Sequence, residues 1–139
     1  MLAERLAQFA VETRVRAPPA DAMIAAQQHL LDGLAVAMAA LRARSVVRPR
    51  ATLALFGQHG HSSAIGQQEP RSAGAAALHN GLLMHALEFD DTHVGAVVHG
   101  APVVLPAVLA YAEQCGSSGA SVLRAVCVGW EERWSRHER

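Results

Sequence analysis

The chain has 139 residues, which is the size of one domain that buries roughly two-thirds of the surface its unfolded form exposes. Its twelve basic and twelve acidic groups cancel, so no field is available to steer nucleic acid. Every basic residue is Arg, and the absence of Lys excludes a Schiff base, a Walker-type phosphate lysine or a lysine general base from within these residues.

Hydrophobic residues make up 51% but aromatics only 4%, so the core falls to Ala, Val and Leu, which suit close helix–helix contact. A charged fraction of only 17% favours burial against a second domain or subunit. Cys115 and Cys127 have no Cys/His companions at zinc-finger spacing, and both read as buried free thiols in apolar helical patterns. The first residues, MLAERLAQFAVETR, carry acids and no continuous apolar stretch, unlike a signal peptide. No window reaches 18 uninterrupted apolar residues, so neither a membrane partner nor a nucleic-acid partner is expected, and the expected location is the cytoplasm.

In chain order, residues 2–15 place Leu2, Leu6, Phe9, Ala10 and Thr13 at helical spacing. Pro18-Pro19 is a joint before the longest helix, Ala20 to about Arg44, whose apolar set is Met23, Ala26, Leu30, Leu34, Ala37, Met38 and Leu41. Gly33 in its interior costs about 1 kcal/mol of propensity, which points to tight packing there. Arg42 to Arg50 is a basic connection, and residues 51–56 read equally as a strand or a helical turn. Residues 57–74 form a loop rich in Gly, Ser, Gln and His, either functional or the remnant of an internal deletion. His59 and His61 in it read as exposed loop histidines.

Ser72 can cap a helix over Ala73–Leu87, with Leu78, Leu82 and Leu83 toward the core. Glu88 to Gly100 interrupts it, with Gly95 and Gly100 at the turns and the apolar Ala96–His99 segment in the core. A further helix, Val103 to Cys115, closes at Gly116 in the left-handed position, with Val103–Leu105 inside. Ser117 and Ser118 cap the last one, about Gly119 to Arg136, with Val122, Leu123, Val126, Cys127 and Trp130 on one stripe. Residues 134–139 form a charged, fraying tail. The fold class is all-α, a helical bundle.

The chemistry concentrates at the interruption, where His79, His85, Glu88, Asp90, Asp91, Thr92, His93 and His99 fall within 21 residues. If the helix continues through Leu87, His85 and Glu88 share a face, as do Glu88 and Asp91 or Thr92. Asp90 and Asp91 are adjacent and cannot both enter one narrow pocket, so one caps or orients while the other meets substrate. A carboxylate beside an imidazole fixes the ring's tautomer for proton transfer, and a hydroxyl such as Thr92 can grip a substrate carboxylate. The seven-residue excursion from Thr92 is long enough to fold His99 back over it. Two other readings stay open. One has Asp90 or Asp91 capping the next turn, and the other has His85, Asp91, His93 and His99 binding a divalent metal for a hydrolase.

The phrase NGLLMHALEFDDTHVGAVVHGAPVVLPAVLAYAE resembles the hallmark segment of the MmgE/PrpD family, which contains 2-methylcitrate dehydratase, cis-aconitate decarboxylase and iminodisuccinate epimerase. LAQFAVETR, HLLDGLAVAMAA and SVLRAVCVGWEERW agree with it. The resemblance implies part of that family's helical domain, one partial domain over 1–139 without the family's smaller α/β lid. It implies lyase chemistry on small di- or tricarboxylic acids with no metal or organic cofactor, in a homodimer or with a complementing lid polypeptide. Position by position, the family's first motif aspartate falls on Glu88, its threonine on Thr92 and its second histidine on His99, with Asp91 completing the implied catalytic set. Asp90, His93 and His85 are the implied substrate-binding residues. Glu88 moves the family's charge outward by about one methylene, and Gly100 replaces a proline, which is expected to loosen the loop that aims His99. Without a lid the chain is expected to have little activity alone; a non-catalytic helical dimer is the alternative.

Overall fold

The computed structural model describes residues 2–15, 17–43, 59–95 and 97–134. Five helices account for most of them: α1 (Leu2–Val15), α2 (Ala20–Ala40), α3 (Ala73–His85), α4 (Ala101–Cys115) and α5 (Gly119–Trp134). Two-residue antiparallel strands, β1 (Thr92–His93) and β2 (Val98–His99), lie between α3 and α4. The all-α bundle expected from the sequence is present. Residues 51–56 and the tail at 135–139 lie outside the described residues.

The helix ends follow local chemistry. The Ser72 hydroxyl accepts from the Ala75 N–H, and the Ser118 hydroxyl accepts from the Ser121 N–H at 3.3 Å, each relieving a donor that the first turn leaves unpaired. Gly116 ends α4 at φ 61°, the left-handed region open to a residue without Cβ.

Packing works through small residues. The α2 face turned inward is Ala26, Gly33, Ala37 and Ala40, set against Leu83, Met84 and Leu105. A Cβ on Gly33 would stand 2.7 Å from Leu105 Cδ1, so the glycine sits at a close crossing of α2 and α4. The α3–α4 contact is tighter. Pro106 has no N–H, so the Pro102 carbonyl lacks its usual i+4 donor, and Gly81 lies directly against that carbonyl; a Cβ there would be 2.6 Å from its oxygen. α5 closes the bundle with Val126, Cys127 and Trp130, and α1 rests on α5.

Several expected faces are revised. On α3 the buried positions are Ala75, Ala76, His79, Asn80, Leu83 and Met84, whereas Leu78 and Leu82 are exposed. Polar residues displace leucines because they fasten the loop that precedes the helix. Asn80 accepts from the Ile65 N–H and donates to the Ser63 carbonyl, both at 2.8 Å, and His79 Nε2 donates to the Ile65 carbonyl at 2.9 Å. Ser62, bridged to Arg71, donates its hydroxyl to the Ala110 carbonyl at 2.6 Å. The described part of the 57–74 loop is thus tied to α3 and α4.

On α2 the expected core residues Met38 and Leu41 are exposed, and Ile24, Leu31 and Met38, seven apart, form a second apolar stripe facing outward. Val97 and Val103 are exposed rather than core, and Cys115 is exposed while Cys127 is buried. On α2 the Ala and Gly positions permit the closest approach, so they take the inner face from the larger side chains.

Gly81→Ala is expected to lower stability by about 1–3 kcal/mol in urea unfolding, because the atom it meets is backbone. Gly74→Ala, on the same helix with nothing within 4 Å, should instead gain up to about 1 kcal/mol.

Candidate active site

The site is built where α3 stops. The Glu88 N–H bonds to the His85 carbonyl at 3.0 Å, and Glu88 itself turns into the left-handed region at φ 54°. A short side chain such as Asp is better tolerated there than Glu, which is a backbone reason for the aspartate expected at this position. The turn directs the chain back so that Asp90 lies beneath the end of α3 and β1 can start at Thr92.

The hairpin sets the next distance. Thr92 is opposite His99 and His93 opposite Val98, and directly paired residues project from the same face. Thr92 Oγ1 therefore comes within 3.3 Å of His99 Nδ1, the folding back that the seven-residue spacing allowed. The tip is strained at Val97, whose φ of 49° is unusual for a β-branched residue.

Asp90 is the centre of the arrangement. Its side chain is 0% exposed, and its Oδ2 lies 3.0 Å from His85 Nδ1 and 2.9 Å from His99 Nδ1. The two rings stand edge to face with centroids 4.9 Å apart. A carboxylate only accepts, so each imidazole donates its Nδ1–H and keeps its lone pair at Nε2. The imidazole side chains are 50% and 36% exposed, open to an incoming ligand. Acid below and two oriented rings above form an acid–base surface.

Asp91 points the other way. Its Oδ1 accepts the Ala101 N–H at 2.7 Å, capping α4, and its Oδ2 lies 3.7 Å from His29 Nδ1 on α2. The His29 ring packs on Trp130 of α5 with centroids 4.9 Å apart, and the two border a cavity of about 200 Å3 between α2 and α5. Gly100 sits within this contact in an ordinary right-handed conformation, and a Cβ on it would meet Asp91 Oδ2 at 3.0 Å and Trp130 Cζ2 at 3.1 Å. The glycine provides space for that contact.

Of the seven expected site residues, His85, Asp90, Thr92 and His99 are brought together. Glu88 is exposed at the corner, Asp91 serves the α4 cap, and the half-buried His93 belongs to the alternate face of β1. Among the described residues the donors that converge are His85, Asp90 and His99, within 4.8 Å of one another, so the alternative metal reading through Asp91 and His93 does not hold as a set. His79, named with the cluster in the sequence, is buried and bound to the loop. His29 and Trp130 were not singled out as site neighbours, because nothing in their spacing links α2 and α5 to Asp91.

A helical bundle that breaks between two helices to set imidazoles around a buried carboxylate is a domain with the equipment for acid–base chemistry. Residues 4–133 match the MmgE/PrpD N-terminal domain, and the chain belongs to the MmgE/PrpD family. It is 32% identical over 133 residues to the cis-aconitate decarboxylase-like protein oryM of Aspergillus oryzae, which covers 91% of this chain and 28% of that protein. It is 35% identical over 119 residues to cis-aconitate decarboxylase of Aspergillus terreus, covering 81% of this chain and 24% of that protein. The chain thus spans about a quarter of the length of these curated relatives. No solved structure matches the chain with significance.

Val97→Gly is expected to raise stability by about 1 kcal/mol by relieving the left-handed strain, whereas Val94→Gly, with no positive φ to relieve, should not. Thermal unfolding of both variants checks this.

Proposed function

We propose that this chain supplies the helical side of a lyase site that removes a proton next to a carboxylate of a small di- or tricarboxylic acid. The observation that carries the reading is the buried Asp90 carboxylate orienting His85 and His99, with Thr92 beside His99. The family supports the lyase class, and the relatives named as cis-aconitate decarboxylases support a small unsaturated or hydroxylated tricarboxylate as ligand.

In this reading His99 Nε2 takes or returns the proton, and Thr92 holds a substrate carboxylate or leaving hydroxyl. His85, set at the same carboxylate, accepts a hydrogen bond from a substrate hydroxyl at Nε2, and Glu88, exposed at the corner two residues before Asp90, is a further acid–base group of this reading. Asp91 acts by fixing the start of α4 and so the position of His99, two residues before it. His93, on the other face of the hairpin, is placed to meet substrate groups arriving from that side. The enediolate-like intermediate needs cationic or N–H donors. This chain has no Lys to provide one, and about three-quarters of the length of its curated relatives lies outside the matched stretch.

The 139-residue chain is therefore expected to bind cis-aconitate or 2-methylcitrate by calorimetry, weakened at least about tenfold by Thr92→Ala, with little or no turnover. In the presence of a polypeptide carrying the rest of a relative, His99→Ala should lower turnover by about 10²–10⁴-fold. Absence of carboxylate binding would overturn the substrate class. Ready turnover by the chain alone, lost on His99→Ala, would overturn its dependence on further sequence.

The outward stripe of Ile24, Leu31 and Met38 supports burial of α2 against further polypeptide or a second copy.

A further inference from the structure

We propose that His85, Asp90 and His99 also form a binding site for a divalent transition-metal ion, zinc being the best match, and that filling it switches the tautomer of both imidazoles. The three donor atoms lie within 4.8 Å of one another, and the two nitrogen-to-carboxylate separations are 3.0 and 2.9 Å. Around zinc, ligated at about 2.0–2.1 Å, neighbouring tetrahedral donors stand about 3.3 Å apart. An ion therefore enters with shifts of a few tenths of an ångström at the carboxylate and some closure of the two rings. Two imidazoles and one carboxylate suit zinc, nickel or copper, whereas calcium and magnesium favour all-oxygen sets.

Access and anchoring are both present. The half-exposed rings leave a way in and a coordination position for water, while the fully buried Asp90 holds the anionic ligand in place. Asp91 is committed to the Ala101 N–H. It therefore stays with α4 when the ion binds.

The proton balance gives the site its consequence. Without metal, each ring donates Nδ1–H to Asp90 and carries its lone pair on Nε2. An ion at Nδ1 requires that proton to leave, and the ring takes one up at Nε2 from solvent, so each imidazole stays neutral and no net proton is released. Nε2 then becomes an N–H donor and can no longer accept a proton. The ion converts both rings from bases into donors. Binding stands on the geometry alone, while its effect on proton abstraction rests on the lyase reading above.

Zinc titrated by calorimetry into the metal-free 139-residue chain should bind saturably in the micromolar range. His85→Ala and His99→Ala should each weaken it at least about tenfold. A His59→Ala/His61→Ala double variant, which removes two exposed loop histidines, should leave it unchanged. ¹⁵N imidazole spectra should show His85 and His99 passing from Nδ1–H to Nε2–H on zinc addition. Circular dichroism checks that the variants, which alter partly exposed rings, remain folded. No saturable binding at roughly 100 μM zinc, or binding that survives His85→Ala, overturns the site; unchanged tautomers overturn the switch. Failure of carboxylate binding would sink the lyase reading and leave the zinc result standing.

Discussion

A carboxylate with no exposed surface is the constraint on which the site depends. Burying Asp90 without partners would carry a large desolvation penalty, and His85 and His99 offset it by donating to the same oxygen. One ring belongs to the last turn of α3 and the other to β2, just before α4. Pairing them therefore fixes how the two helices meet across the break. The left-handed corner at Glu88 and the strained Val97 are the backbone cost of bringing both rings to one acid.

Asp91 is the structural counterpart of Asp90. Adjacent carboxylates diverge, one toward the imidazoles and one toward the α4 N-terminus, where the unpaired N–H and the helix dipole favour an anion. Because His29 lies 3.7 Å from the Asp91 carboxylate and its ring packs on Trp130, α2 and α5 meet beside the hairpin that carries Thr92 and His99. Gly81 then allows α3 and α4 to approach closely enough for so short a hairpin to bridge them, while Gly33 and Gly129 bring α2 and α5 close to α4. Membership of the MmgE/PrpD family gives this geometry its chemical context, since the relatives include cis-aconitate decarboxylases.

The described helices were legible because their signals are local. Pro19, Ser72, Ser118 and Gly116 mark ends through capping and backbone geometry that a few neighbouring residues decide. Which face turned inward was less legible. Leu78 and Leu82 looked like core by hydrophobicity, yet His79 and Asn80 took the inner face, because only a distant loop could say that their polar atoms would be paired. The same limit hid the roles of the two aspartates, whose identical side chains differ only in what lies 2.7–3.2 Å away.

By itself the sequence determined an all-helical chain, a break at residues 88–100, the set of acids, hydroxyl and imidazoles gathered there, and the family hallmark. These follow from periodicity, turn residues and a motif, all read over short separations. Only the tertiary structure decided that Asp90 rather than Asp91 holds the imidazoles, that Gly100 serves a close contact, and that His29 and Trp130 adjoin the site. Those outcomes depend on the packing of α2, α3, α4 and α5, whose contacting residues lie far apart in the chain, and on which partner is near enough to satisfy a buried charge.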